Sequence, residues 1–214
     1  MTTVLVFAGG RRLDAPTVAR LPIAALVVAA DSGADRALEI GVRPDVVVGD
    51  LDSVSIDTLA ELRVDPEVEI DEHPTAKDET DLELAMLRAL AAEPERIVVT
   101  GLDGGRPDHQ LANLLLLADA RWRDVVVDAE LEGASVRVVH DRRQLDAPAG
   151  ALVSLLPVGG DALGVTTGGL AFPLVGETLP AGTPRGISNV AEAADPTVAV
   201  DRGTLVAMVM RGLT

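Results

Sequence analysis

"DVVVGDLDSVSIDTLAELR", residues 45–63, runs a β-branched stretch into a glycine, sets Asp50 and Asp52 one residue apart, and then changes to a helical pattern. A strand feeding a helix through a short polar turn is half of a parallel βαβ unit. The same alternation continues to about residue 128. "TVLVF", "ALVVAA", "DVVVGD", "VEID", "RIVVTG" and "DVVVD" read as strands. The most regular helix is "TDLELAMLRALAAE", where Leu82, Ala85, Met86, Ala89 and Leu90 share one face and Pro94 closes the segment. "DHQLANLLLLADA" is expected to be helical with Asp108 as N-cap, and "SIDTLAELR" to be capped by Asp52 or Ser53.

Beyond residue 131 the texture changes. "VRVVH", "ALVSLLPV", "ALGVTTG", "RGISNVA" and "TVAVDRGTLVAMVM" are strand-like with little helical period. "VGGD" at 158–161 and "DRG" at 201–203 look like hairpin connections. The expected architecture is an α/β N-terminal domain with a mainly parallel sheet over residues 1–130, followed by an all-β C-terminal sandwich domain over 131–214.

Composition narrows the function classes. With 34 Asp+Glu against 18 Lys+Arg, a formal charge of -16, the surface is poorly suited to nucleic-acid phosphates or anionic lipid. The absence of Cys removes disulfides and thiolate metal sites. "MTTVLVFAGG" lacks a basic leader, and "LPIAALVVAA" falls short of the roughly 18 apolar residues of a membrane span, so a cytoplasmic location is expected. One Trp, two Phe and no Tyr make any aromatic in polar surroundings worth following.

In an open parallel sheet, ligands bind beyond the carboxyl ends of the strands, and four clusters fall there. "DSGAD" places Asp31 and Ser32 before Gly33, either as a helix cap or as a place where backbone approaches a ligand. If the strand persists, Asp50 and Asp52 point to one side. Unit charges about 4 Å apart interact by roughly 4 kcal/mol at an effective dielectric of 20, so the pair invites a hard cation. Oxygen donors without a nearby His pair suit Mg²⁺ better than zinc. In "HPTAKDETD", Thr80 and Glu83 form a capping box, while Lys77 and Asp78 suggest a metal-bound polyphosphate. "TGLDGGRPDH" offers glycine amides and the Arg106 fork to an anion. There is no ordinary P-loop, and "FAGGRRL" lacks dinucleotide glycine spacing. The composite is a metal-assisted polyphosphate site.

Taken in order, "DSGAD", "PDVVVGDLDS", "KDETDLELA", "TGLDGGRPDH" and "GISN" resemble thiamine pyrophosphokinases, and the likeness covers nearly the whole chain. The resemblance implies transfer of pyrophosphate from ATP to the hydroxyethyl oxygen of thiamine, giving thiamine diphosphate and AMP, with Mg²⁺ required. It implies an ATP-binding α/β domain, a thiamine-binding β domain, and a homodimer with active sites between subunits. By motif match, Asp50, Asp52 and Asp81 would be metal ligands, joined by Asp78 as the fourth catalytic carboxylate. Asp31, Ser32 and Gly33 would seat the nucleotide, and Lys77, Arg106 and His109 would face phosphates beside Asp108.

In the β domain, Phe172 of "GGLAFPL" stands where family members usually carry Trp or Tyr, and its ring would stack on thiamine. Ser188 and Asn189 would hydrogen-bond the pyrimidine or shape its pocket. The proton acceptor stays open among Asp50, Asp78 and Asp81. A pyrophosphokinase for another small alcohol such as a hydroxymethylpterin, a nucleotidyltransferase, and a noncatalytic nucleotide-binding module are the rival readings. His73 and His140 are expected to be surface or structural.

Overall fold

The computed structural model describes residues 1–211. The chain divides into one unit comprising residues 1–116 and 125–132, and another comprising 117–124 and 133 onward.

In the first unit, β1 (Thr3–Phe7), β2 (Leu26–Ala30), β3 (Val46–Gly49), β4 (Glu69–Glu72), β5 (Arg96–Thr100) and β6 (Val126–Leu131) are all parallel. They lie in the order β4-β3-β2-β1-β5-β6. The helices are α1 (Ala15–Val18), α2 (Gly33–Glu39), α3 (Ile56–Arg63), α4 (Asp81–Leu90) and α5 (Pro107–Leu116). Alternate residues of β1 are buried on both faces, as a helix-covered parallel sheet requires. Leu5 and Phe7 pack with Ala34, Ala37 and Leu62 from α2 and α3. α4 packs on β1, β2 and β3 through its buried stripe of Leu82, Ala85, Met86 and Ala89.

Strand order reverses between β1 and β5, because the chain builds outward from β1 first to one side and then to the other. That reversal opens a crevice at the carboxyl ends of the two strands.

Helix starts depart from the sequence expectation in two places. Ser55, rather than Asp52 or Ser53, caps α3, and its side chain accepts the Thr58 N–H. α5 begins at Pro107, so Asp108 lies inside its first turn; proline is favoured there because its missing N–H would have no helical partner. Strand β6 runs past "DVVVD" to Leu131 because the charges within it are neutralised: Arg96 lies 2.7 Å from Asp128, and Arg20 lies 2.7 Å from Glu130.

The second unit contains β7 (Ala134–Val139), β8 (Arg142–Gln144), β9 (Leu152–Gly168), β10 (Glu177–Leu179), β11 (Asn189–Val190), β12 (Thr197–Ala199) and β13 (Arg202–Met210). All its recorded pairings are antiparallel. The hairpins expected at "VGGD" and "DRG" do not form. β9 continues through residues 158–161, and β12 and β13 pair with successive parts of it in the same direction. The two glycine-containing stretches instead face each other where the register shifts between Arg202 and Thr204. Gly203, at φ 103, comes so close that an added Cβ would lie 2.6 Å from the Asp161 carbonyl oxygen. A bulge of this kind bends a ribbon without reversing it. β9 thereby serves two ladders around one core that includes Leu145, Leu155, Leu179, Val198 and Leu205.

Candidate active site

The acidic cluster stands at the carboxyl ends of β2 and β3. Asp31 follows β2 directly, and Asp50 follows β3. Strand alternation is not what brings Asp50 and Asp52 together, because β3 stops at Gly49 and Leu51 adopts φ 61. The left-handed residue turns the chain, and its side chain sits in the core at 6% exposure. Burying a leucine contributes roughly 1.5–3 kcal/mol, which offsets the strain of that backbone.

One carboxylate oxygen from each of Asp31, Asp50 and Asp52 lies within 4.8 Å of the others. The expected trio had Asp81 in place of Asp31. Asp81 instead meets Lys77, whose Nζ is 3.0 Å from Asp81 Oδ1 and 3.8 Å from Asp50 Oδ2. Gly49 keeps this corner open: at φ 144, an added Cβ would stand 3.0 Å from Asp81 Oδ1 and 3.3 Å from Asp31 Cβ. Asp78 is exposed in the loop before α4.

Electrostatics mark Asp31. Its Oδ1 is buried without a hydrogen-bond partner. Burial pushes its pKa up and the Asp81 charge adds to the shift, against hydrogen bonding from Ser53 and the Ser32 N–H. Burial works against the Lys77 charge, but Asp81, Asp50 and Asp31 outweigh it and hold the ammonium above its usual range. A buried carboxylate oxygen lacking a donor, beside two more carboxylates, fits a hard divalent cation with oxygen ligands. Asp31, Asp50 and Asp52 are therefore the residues that would hold such an ion, with Asp81 next to them.

A cleft of about 330 Å³ opens beside this cluster, bordered by Asp31, Asp81, Arg106 and His109. Its floor is made where the turn after β1 meets the loop after β5: Gly10 N donates to Gly101 O at 2.8 Å and Arg11 N to Asp103 O at 2.8 Å. On the rim, Arg106 is held by Asp108 at 2.6 Å, and the guanidinium draws the Asp108 carboxyl down to about 2. Ser32 borders the cleft, whereas Gly33 is buried against β1, where a Cβ would lie 2.1 Å from the Phe7 carbonyl oxygen. Its lack of a side chain serves helix–strand packing.

Ser53, read from sequence only as a helix cap, also borders the cleft, together with Gln110 and Asn113, which sequence reasoning passed over. The signal for the last two was helical spacing, since Asn113 follows His109 by four residues on α5 and Gln110 follows Arg106, just before the helix, by four.

In the β unit, Phe172 is 68% exposed. Asn189 is buried, and its side chain is turned onto the Phe172 backbone: Phe172 N donates to Oδ1 at 3.0 Å and Nδ2 donates to Phe172 O at 2.7 Å. Ser188 adopts φ 61, and its N–H donates to Ser154 Oγ at 3.1 Å.

The profile of the thiamin pyrophosphokinase catalytic domain matches residues 20–127, and that of the thiamin pyrophosphokinase vitamin B1 binding domain matches residues 138–205. The chain belongs to the thiamine pyrophosphokinase family. Thiamine pyrophosphokinase of Bacillus subtilis (strain 168) is 32% identical over 119 residues, which is 55% of this chain and 55% of that protein. The matched stretch thus spans about half the length of that curated relative. Thiamine pyrophosphokinase 2 of Oryza sativa subsp. japonica is 27% identical over 180 residues, 80% of this chain and 67% of the relative. The crystal structure of thiamin pyrophosphokinase from Geobacillus thermodenitrificans superposes with a TM-score of 0.82 at 25% identity, covering 100% of this chain and 99% of that one. The Bacillus subtilis crystal structure gives a TM-score of 0.86 at 24% identity over 99% and 100% of the two chains, a likeness of fold. Among the described residues, no helix is long and apolar enough to cross a membrane.

Proposed function

We propose that this member of the thiamine pyrophosphokinase family transfers pyrophosphate from ATP to thiamine, giving thiamine diphosphate and AMP. The observation that carries the reading is the convergence of Asp31, Asp50 and Asp52 within 4.8 Å, next to Lys77 and a cleft at the strand-order reversal. That arrangement suits a polyphosphate with its divalent cation, for which Mg²⁺ is the proposed ion. Bound there, the cation would neutralise phosphate charge.

The residues of the chain take the remaining work. Lys77, Arg106 and His109 would bind phosphate oxygens, and the glycine loop after β5 would admit the nucleotide close to backbone amides. The hydroxyethyl oxygen of thiamine attacks the β-phosphorus in line, an O–P bond forms, and the bond from the β-phosphorus to the bridging oxygen breaks. AMP leaves with that oxygen, and the hydroxyl proton passes to a carboxylate among Asp50, Asp78 and Asp81. A loose transition state demands little from that base. Phe172 would stack on thiamine from the β unit.

We also propose a homodimer in the cytoplasm. The exposed Leu111 and Leu115 on α5, a helix with no buried residue, support an apolar face available to a second copy.

The test is AMP formation from ATP and Mg²⁺ with thiamine, with a hydroxymethylpterin, or with no acceptor. Thiamine-dependent AMP supports the assignment. Pterin-dependent AMP, or release of inorganic pyrophosphate in its place, overturns it.

A further inference from the structure

Phe172 is a large apolar side chain facing water, yet its backbone is held through both its N–H and its carbonyl. Ala171 N donates to Val190 O at 2.8 Å. Phe172 gives both its N–H and its carbonyl to the Asn189 side chain. Pro173 has no N–H to satisfy. Leu174 N donates to Thr167 Oγ1 at 2.9 Å, Thr167 N returns a bond to Leu174 O at 2.9 Å, and the Leu174 side chain packs on the core. Gly176 N donates to Thr166 Oγ1 at 3.0 Å.

Asn189 spends nearly all of its hydrogen-bonding capacity on this segment. Oδ1 accepts from Phe172 N and also from Val190 N at 2.9 Å, which fills both lone pairs. Nδ2 donates to Phe172 O at 2.7 Å, leaving a single N–H. The reverse orientation of the amide would set NH₂ against two N–H donors and oxygen against a carbonyl, so the surroundings fix which atom is which.

We infer that Asn189 is a positioning residue: it locks the backbone of Phe172 so that the ring stands as a preformed platform for a flat cationic heteroaromatic ligand. The inference deepens the proposed thiamine reading and rests on it for the identity of the ligand. Ordering the segment in advance removes a cost that binding would otherwise carry, which for a rotamer-rich side chain and its loop is a substantial part of affinity. It also assigns Asn189 a role other than contact with the pyrimidine, since its acceptor oxygen is already saturated within the unit.

Two measurements test this. Amide hydrogen exchange on the ligand-free chain reads the clamp directly: N189A should speed exchange at Phe172 and Val190 by about tenfold or more, the loss of roughly one such bond's worth of local stability. N189D keeps an acceptor for the two N–H groups but sets its second oxygen against the Phe172 carbonyl, so it should also speed exchange at Phe172. Unchanged exchange in N189A overturns the clamp. The second measurement is a double-mutant cycle on thiamine KM and kcat. N189A and F172A should each raise KM by about tenfold with kcat changed less, and N189A/F172A should match F172A alone, because Asn189 acts through Phe172. Effects that multiply would show that Asn189 contacts the ligand itself and would overturn the inference. If N189A does not fold, the cycle is run with N189S, judged by the same criterion. Exchange needs no substrate, so a parent enzyme that forms no AMP with thiamine sinks the proposed function without disguising the result for the clamp.

Discussion

Lys77 Nζ lies 3.0 Å from Asp81 Oδ1, four residues along the chain at the start of α4, and the lysine side chain is only 11% exposed. Without ligand, the main cation of the acidic corner is engaged by the corner's own carboxylates. Once a divalent ion offsets those charges, Lys77 becomes available to phosphate oxygens. K77A should therefore lower thiamine-dependent AMP formation by about a hundredfold or more, comparable to losing one preorganised electrostatic contact. K77R should recover part of it. Thermal stability of K77A should depend more steeply on added Mg²⁺ than that of the parent, because the carboxylates lose their internal counter-charge. Equal Mg²⁺ dependence of the two melting curves would count against this account.

The carboxylates should separate into two kinds of variant. D50N and D52N are expected to cut turnover by about a hundredfold and to weaken calorimetric Mg²⁺ binding while the fold persists. D31N should also lose activity, yet gain thermal stability in EDTA. The Asp31 pKa is raised by burial, with Asp81 adding to it. The folded state therefore holds its proton more tightly than the unfolded chain, and stability falls as pH rises through the window from the unfolded value near 3.8 up to the folded one. Above the folded value the whole penalty is present. Asn removes it, and tolerates the φ of 47 at this position. A D31N protein less stable than the parent in EDTA would contradict the assignment of Asp31 as a strained, cation-ready carboxylate.

The parallel half of the fold was legible because its signals are local. β-branched runs, capped helices and the stripe of α4 each announce themselves within about ten residues. What escaped the sequence was tertiary. "VGGD" and "DRG" carry turn chemistry, but turn residues also serve bulges, and only the pairing of β9 with both β12 and β13 decides between the two. Asp50 and Asp52 were placed together for a reason that does not hold, since the left-handed Leu51 rather than strand alternation sets their geometry. The place of Asp31 beside them depends on the β2–β3 pairing, in which Ala30 sits opposite Val48. Asn189 read as a residue that contacts the pyrimidine or shapes its pocket, and its hydrogen bonds to the Phe172 backbone were not legible, because sequence gives residue type but not the direction of a side chain.

Gly49 links backbone to site. A Cβ there would press on both Asp81 and Asp31, and the φ of 144 is one that L side chains rarely adopt. G49A should destabilise the first unit by about 1–3 kcal/mol, the usual scale for forced backbone strain. It should also reduce turnover more than stability alone explains, by displacing Asp81 from Lys77. Denaturant unfolding and AMP formation measured at a temperature where G49A is fully folded separate the two effects. Parent-like turnover would mean that this corner is not where the reaction is controlled.

His140 provides a pH dependence confined to the β unit. Its Nδ1 lies 3.1 Å from Thr204 Oγ1, and its Nε2 is buried with no hydrogen-bond partner. Burial pushes the imidazole pKa below its usual value near 6.5, and the Arg123 and Arg143 charges add to the shift. Below about 6.5 the unfolded chain takes up a proton that the folded chain resists, so stability rises with pH through this window and is lost as pH falls toward the folded value. H140Q, which keeps a polar group near Thr204 without titrating there, should flatten the slope of unfolding free energy between pH 5 and 7. Trp122, the single tryptophan, is fully buried in this unit, so its fluorescence can follow the transition. Carboxylates titrate in the same range but are common to both proteins. The difference between the two slopes therefore isolates the histidine, and identical slopes would show that its burial does not couple to folding.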